Sequence, residues 1–209
     1  MEVDDILKIA KEIGETRSIE LKTSMPWNDD ATKFKITKSV MALSNVRDGG
    51  RILLGVDQCQ NGEFSPKGMS LDHFESFTQD DLQDHLGKYI VPYAKVRIEK
   101  VSNGSLHFVV IHVGEFDRLP VICGKVYDLT NKLGKDKIIK EGDVFTRTRV
   151  HRFESSRVKA QTDMQDILDL AIEKGMKSFL EQAKNSGLLS ERHIKTDKDR
   201  FDQEIEGLR

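Results

Sequence analysis

The chain has 209 residues, of which 33% are charged and 37% hydrophobic, a balance typical of a globular protein with a well-solvated surface. Its formal net charge is -2, so total charge gives no argument for a nucleic-acid partner, and only local basic patches could supply one. No apolar run approaches the roughly 20 residues of a membrane span, and the acidic N-terminus does not resemble a signal peptide, so we expect a cytoplasmic protein without a membrane partner.

The N-terminal part predicts a helix, a strand and a second helix. Apolar residues at helical spacing predict a short helix over 4–13, ended by Gly14. Residues 18–22 alternate like a half-buried strand, which places Glu20 and Lys22 together on one face. Asp29 or Asp30 can cap the next helix, predicted over 31–44.

An apolar run bounded by glycines follows and predicts a buried central strand over 51–56. Asp57 comes directly after that strand, where open α/β sheets usually place their ligands. Gly49-Gly50 lacks the rest of a phosphate-loop pattern and predicts a tight turn before the strand.

The remaining patterns predict alternating helical and extended segments. They are a hairpin tip at Asn61-Gly62, a helix over 71–86, paired strands over 94–101 and 106–113, short strands over 125–129 and 144–149, and an amphipathic helix from Gln161 to about Lys184. The almost wholly charged segment after Leu189 is expected to fray or to be disordered.

The two cysteines, Cys59 and Cys123, lie far apart in the sequence and form no CxxC pair. We therefore expect reduced thiols, with neither a zinc site nor a disulfide framework.

The acidic residues near the first and central strands form a candidate site. If the strands carrying Glu20 and Asp57 pair, their carboxylates meet, Glu15 reaches over from the preceding loop, and Lys22 lies beside Glu20. Carboxylates of this kind bind Mg²⁺, and an ammonium can stabilise charge that develops on a phosphate. The alternative is a solvated strand face with a surface ion pair, which contributes little.

Basic residues cluster in two places and suggest a phosphate-binding groove. One cluster lies on the first long helix and the other spans a charged loop and the strand after it: Lys33, Lys35 and Lys38, then Lys135, Lys137, Lys140, Arg147, Arg149, Arg152 and Arg157. Each cluster taken singly is also what an ordinary solvated face would show.

Several of these motifs, taken in order, resemble the Schlafen AlbA-like domain. The resemblance rests on Glu15-x4-Glu20-Leu21-Lys22, Ala42-Leu43-Ser44-Asn45, Gly49-Gly50, Leu54-Gly55-Val56-Asp57, the strand 108–113, Pro120 and Asp143-Val144-Phe145-Thr146-Arg147. It covers about residues 12–153, and the order and spacing of the set make it specific. It departs at Gln58, which replaces a second acid, and lacks the Cys and His set of the animal zinc site.

The resemblance implies nucleic-acid binding, and some Schlafen members are metal-dependent endoribonucleases that act on tRNA and rRNA. By motif position, the family's catalytic and metal-binding acids fall on Glu15, Glu20 and Asp57, with Mg²⁺ or Mn²⁺ as the expected cofactor. Replacing Glu20 or Asp57 by alanine should then abolish cleavage and leave the fold intact.

We therefore expect an α/β (α+β) fold in which helices flank a mixed sheet, with a nucleic-acid-binding domain over 1–158 and a helical extension with a charged tail over 159–209. The leading function is a metal-dependent endoribonuclease acting on structured RNA such as tRNA. The alternatives are a non-catalytic DNA- or RNA-binding regulatory module and an interaction domain of a larger assembly.

Animal Schlafen cores contain two lobes and this chain supplies one, so we also expect a homodimer. The apolar stripe of the C-terminal helix would make the interface. The alternative is that this helix folds back on its own sheet.

Overall fold

A computed structural model describes residues 1–133, 138–148 and 153–188 of the chain. It has two compact units, Met1–Ala171 and Ile172–Arg209. Two predictions fall wholly or partly outside the described residues: the disordered tail, and the second basic cluster at Lys135, Lys137, Arg149 and Arg152.

The helices and strands make an α+β fold, as predicted. The helices are α1 (Val3–Lys8, continued by a π-helical segment, Ile9–Ile13), α2 (Asp30–Ser44), α3 (Leu71–Glu75), α4 (Gln79–Gly87), α5 (Thr130–Leu133) and α6 (Gln161–Asn185). The strands are β1 (Ile19–Lys22), β2 (Gly50–Leu54), β3 (Val56–Gln58), β4 (Phe64–Pro66), β5 (Ile90–Val91), β6 (Val96–Asn103), β7 (Leu106–Val113), β8 (Ile122–Cys123), β9 (Tyr127–Asp128), β10 (Ile138–Ile139), β11 (Phe145–Arg147) and β12 (Ser155–Arg157). Among these helices, none is long and apolar enough to span a membrane.

The main sheet has four strands in the order β1-β2-β7-β6. It is mixed, because β1 runs parallel to β2 and the other neighbours are antiparallel. The register pairs Glu20 with Ile52 and Lys22 with Leu54. The C-terminal ends of β1 and β2 therefore lie side by side, close to the point where β3 and Asp57 begin.

The two faces of this sheet pack against different helices. Ile52 and Leu54 of β2 contribute to the larger core, which includes the apolar residues of α2. Leu21 and Leu53 lie on the opposite face and share a smaller core with Ile6 of α1. Because β1 side chains alternate, Glu20 and Lys22 lie on the α2 face and not on an open surface.

Two glycines close the turn that leads into β2. Gly49 has φ 66°, and a Cβ there would lie 2.1 Å from the Val113 carbonyl oxygen. A Cβ on Gly50 would lie 2.4 Å from the Ser18 carbonyl oxygen. The tight turn predicted for Gly49-Gly50 is therefore required by the close approach of neighbouring backbone.

Two of the predicted elements were too long. The central strand predicted over 51–56 ends at Leu54, because Gly55 adopts φ 105° and the chain turns into β3, which pairs with β4.

The helix predicted over 71–86 is two helices, α3 and α4. Thr78 caps the second of them by accepting the Asp81 backbone N–H at 3.2 Å.

The predicted C-terminal helix is present as α6 and crosses the boundary between the two units. Ile167 and Leu170, in its first half, are buried in the larger core. Arg17 also holds this half of the helix, donating from Nη2 to Asp166 Oδ2 at 2.7 Å. The start of α6 is therefore part of the first unit, Met1–Ala171.

Candidate functional site

A cleft of about 500 Å³ opens beside the C-terminal end of β1. Its charged lining residues are two carboxylates and three lysines: Glu15, Asp57, Lys22, Lys35 and Lys67. The lysines come from β1, α2 and the loop after β4, so the tertiary fold brings together residues that are distant in sequence. We call this feature the lysine cleft.

Asp57 lies on β3 at the side of the cleft and has two donors. Thr23 Oγ1 donates a hydrogen bond to its Oδ1, and Lys67 Nζ lies 3.1 Å from its Oδ2. The Thr23 hydrogen bond and then the Lys67 interaction hold the pKa of Asp57 below its usual range. Asp57 is therefore an ionised carboxylate that faces a largely exposed lysine.

Glu15 lies in the loop before β1 and is hydrogen-bonded to the backbone of that strand. Its Oε1 accepts the Leu21 backbone N–H at 3.0 Å. Burial raises the pKa of the Glu15 carboxyl, and this effect exceeds the lowering by the Leu21 hydrogen bond and by Arg147. A carboxyl group with a raised pKa in a cleft is a common arrangement for proton transfer.

Glu20 lies behind the cleft in the protein interior, with its side chain 4% exposed. Its Oε1 receives Lys22 Nζ and the Ser39 hydroxyl, the latter at 2.8 Å. Its Oε2 receives the Ser155 hydroxyl at 2.7 Å and lies 3.2 Å from Arg147 Nη1. Burial opposes the ionisation of Glu20, but Lys22 and Arg147 outweigh it, so its pKa is lowered.

Arg147 is buried against Glu20, and its side chain is only 1% exposed. Its Nη2 donates to the carbonyl oxygens of Thr16 and Ile19, at 2.9 and 3.1 Å. The prediction that Arg147 contacts nucleic acid was wrong, because the guanidinium ties β11 to the entrance of β1 and has no access to the surface.

The three predicted metal ligands do not fit a divalent cation as they are placed. Among the residues that the structure describes, no three His, Cys, Asp or Glu side chains form a group that could hold one. Both oxygens of the Glu20 carboxylate already contact cations and hydroxyl donors: Lys22, Arg147, Ser39 and Ser155. Asp57 instead contacts Thr23 and Lys67. Glu15 and Asp57 share the lysine cleft, but Glu20 does not line it.

The first basic cluster divides between two surfaces. Lys35 is exposed and lines the lysine cleft. Lys33 instead has its ammonium 5.9 Å from the centre of the Trp27 ring, and neither Lys33 nor Lys38 lines the cleft. At 100° per residue, positions 33 and 35 lie on nearly opposite sides of α2, which explains the division.

Two residues of the second cluster also lie away from the cleft. Arg157 is paired with Asp143, with Nη2 2.6 Å from Oδ2. Lys140 is exposed in the loop after β10. The predicted convergence of this cluster on the acidic site is therefore not seen for Lys140, Arg147 or Arg157.

The sequence reasoning missed Lys67 and Thr23, although both complete the cleft. Lys67 follows Pro66 at the end of the β3–β4 hairpin, whose tip at Asn61-Gly62 was predicted. A hairpin that begins near Asp57 brings the end of its second strand back beside Asp57. The sequence could therefore have indicated Lys67 as a site residue.

Comparison with known proteins identifies the family. The family model described as Schlafen, AlbA_2 matches residues 15–153, more than half of the chain. The chain belongs to the Schlafen AlbA_2 family. The resemblance inferred from the motifs is thereby confirmed, and membership supports a function in nucleic-acid binding. No curated protein matches the chain.

Two solved structures resemble the Schlafen AlbA_2 domain of this chain. The DIP2311 protein from Corynebacterium diphtheriae is 15% identical with a TM-score of 0.48, and the match covers 79% of this chain but 27% of that one. The N-terminal domain of an ATP-dependent DNA helicase RecG-related protein from Nitrosomonas europaea is 20% identical with a TM-score of 0.43, covering 77% of this chain and 90% of that one. At TM-scores below 0.5, these similarities do not indicate what this chain binds.

Proposed function

We propose that this Schlafen AlbA_2 domain binds nucleic acid with the sugar–phosphate backbone in the lysine cleft. The observation that carries the proposal is the convergence of Lys22, Lys35 and Lys67 around one concave surface in a chain of net charge -2. The three lysines outnumber the two carboxylates that line the same cleft, Glu15 and Asp57. The remaining positive charge favours binding to phosphates, because neutralising a phosphate releases its condensed counterions.

The cleft also offers apolar surface beside its cations. Phe64 and Met25 line it, and Phe64 is half-buried, so part of its ring is accessible. An aromatic ring next to lysines suits a nucleic-acid strand whose bases are not all paired, because any base can stack on it. We therefore expect binding without strong sequence preference and with better affinity for single-stranded or structured RNA than for blunt duplex DNA.

Fluorescence anisotropy with labelled RNA and DNA oligonucleotides tests this proposal. With up to three lysine–phosphate contacts, log K should fall with log salt concentration at a slope of about -2 to -3, since each contact contributes about -0.7 to -0.9. Affinity that does not change with salt would exclude backbone binding. A strong preference for one base sequence would indicate direct readout of bases instead.

A second candidate function is cleavage of the bound RNA, the endoribonuclease activity on tRNA that the family resemblance implies. The observation that favours it is that Glu15, Asp57 and Lys22 line the same cleft. Glu15, whose pKa is raised by burial, could take the proton of a ribose 2′-hydroxyl as its oxygen attacks the neighbouring phosphorus, with Lys22 beside the phosphate. The bond from phosphorus to the 5′ oxygen then breaks, and that oxygen takes a proton from water. The three carboxylates Glu15, Glu20 and Asp57, as placed, do not fit Mg²⁺ or Mn²⁺.

Incubation of the protein with total tRNA, in Mg²⁺, in Mn²⁺ and in EDTA, tests this second candidate. If the site cleaves RNA, Glu15→Gln should reduce the rate by about 100-fold or more, the usual effect of removing a proton-transfer group. Asp57→Asn should also reduce the rate, because it removes the second carboxylate of the cleft. Binding should persist in both variants. Intact tRNA under all three conditions, together with measurable binding, would favour the non-catalytic module.

We also propose that the protein forms a homodimer through α6. Five apolar side chains along this helix are 46–66% exposed: Leu168, Ile172, Met176, Phe179 and Leu180. Deletion from Gln161 would be a poor test, since Ile167 and Leu170 belong to the core. In the full chain, Ile172→Glu with Phe179→Glu should convert a dimer into a soluble monomer, measured by light scattering. A wild-type monomer would contradict the proposal.

A further inference from the structure

A second concave surface lies at the other end of the main sheet, on the face that α1 covers. It has a volume of about 630 Å³, and its lining includes Lys8, Arg51, Arg97, Glu99 and His112. Arg51 opens β2, whereas the lysine cleft lies beyond the point where β1 and β2 end. The two clefts therefore lie at opposite ends of the strands and share no lining residue.

The basic residues of this surface are aligned by strand pairing. Arg51 of β2 lies opposite His112 of β7, and His112 lies opposite Arg97 of β6. Neighbouring strands are about 4.8 Å apart, so the Cα atoms of the two arginines lie about 10 Å apart, with that of His112 between them. We call these three residues the arginine row. Lys8 of α1 adds a third cation at its border.

The two carboxylates of this surface already have partners. Glu99 Oε2 lies 2.6 Å from His112 Nε2 and 3.6 Å from Arg97 Nη2, so it orients the imidazole and one arginine. Asp5 Oδ2 accepts the Glu2 backbone N–H at 2.9 Å. Within the described ranges, no ion pair or hydrogen bond is found for the Arg51 guanidinium, which is exposed. Three cationic side chains thus surround a space with two engaged acids, leaving net positive charge.

We propose that the arginine row and Lys8 form a second anion site that takes a phosphate group. Planar guanidinium groups on both sides of an imidazole suit phosphate oxygens, because an arginine can donate two parallel hydrogen bonds to them. The phosphate could belong to the backbone of the nucleic acid that occupies the lysine cleft, or it could be a free phosphate or nucleotide. This site does not depend on the lysine cleft.

NMR spectroscopy of the full chain tests the site with inorganic phosphate as the probe. At constant pH and ionic strength, balanced with chloride, millimolar phosphate should shift the ring signals of His112. The response should be lost in the Arg51→Gln, Arg97→Gln double variant and kept in Arg118→Gln, which removes a charge from an exposed loop. A wild type without a response, or a double variant that responds like wild type, would overturn the proposal.

A second measurement distinguishes the two sources of phosphate. If the site holds a backbone phosphate, the double variant should lower the steepness of the salt dependence of oligonucleotide binding by about 1, the contribution of one phosphate contact. An unchanged salt dependence, combined with the His112 response, would assign the site to a free phosphate or nucleotide. Lys35→Glu with Lys67→Glu should leave the His112 response intact, so a failure of the lysine cleft and a failure of this site can be told apart.

Discussion

Removing either partner of the Glu20–Arg147 pair should destabilise the protein by about 3–5 kcal/mol, the usual cost of leaving one buried charge without its partner. In Glu20→Ala, the Arg147 guanidinium remains buried, and its acceptors within the described part of the chain are the carbonyl oxygens of Thr16 and Ile19. In Arg147→Met, Glu20 keeps Lys22 and two hydroxyls, so this variant should lie at the lower end of the range. Urea unfolding of the purified variants measures both changes.

The matched control is Asp57→Asn, which removes an acid whose lysine partner is 66% exposed. Its free energy of unfolding should stay within about 1 kcal/mol of wild type, since exposed ion pairs contribute little. The Glu20→Ala, Arg147→Met double variant should lose less stability than the sum of its single changes, because neither member of the buried pair is then left without the other. Single variants as stable as Asp57→Asn would contradict the buried pair.

The predicted loss of stability contradicts the expectation that Glu20→Ala leaves the fold intact. That expectation assumed that Glu20 lies on an open polar face, but the structure places it under α2 at 4% exposure. A loss of activity in Glu20→Ala would therefore report on folding as much as on chemistry. Glu15 and Asp57, which line the cleft, are the informative positions for catalysis.

The second large effect concerns binding. Lys35→Glu and Lys67→Glu should each weaken binding of RNA and DNA by about tenfold, because a hydrogen bond to a charged group contributes about 1.5 kcal/mol or more. The loss should be similar for all sequences, since phosphate contacts carry no base information. Anisotropy titrations at one fixed salt concentration measure the change.

Lys33→Glu provides a control of equal net charge on the same helix. Its ammonium lies over Trp27, away from the lysine cleft, so its effect on affinity should be less than about threefold. Equal losses for Lys33→Glu and Lys35→Glu would show that total charge, and not the cleft, determines binding.

Much of the sheet and its edge could be predicted from local pattern. The alternation in β1 correctly placed Glu20 and Lys22 on one face, and the glycine pair correctly predicted the turn before β2. The alternation could not reveal that α2 covers this face, because coverage depends on the path of the whole chain. The burial of Arg147 was hidden for the same reason, since its partner lies more than 120 residues away.

Other errors had signals in the sequence. Gly55 interrupts the apolar run, and a glycine inside a strand pattern often marks a bend. Thr78 followed by Asp81 has the spacing of an N-cap, which would have divided the helix predicted over 71–86. The 200° between Lys33 and Lys35 on a helix also argued against one basic surface.

The central claim is that nucleic acid occupies the lysine cleft, and the reactivity of Cys59 tests it most directly. Cys59 is exposed and lines the cleft, whereas Cys123 is buried and serves as an internal reference. A saturating oligonucleotide should slow the reaction of Cys59 with a thiol reagent by about tenfold or more, as expected for a side chain covered most of the time. Unchanged Cys59 reactivity while anisotropy shows the oligonucleotide fully bound would place the binding surface elsewhere.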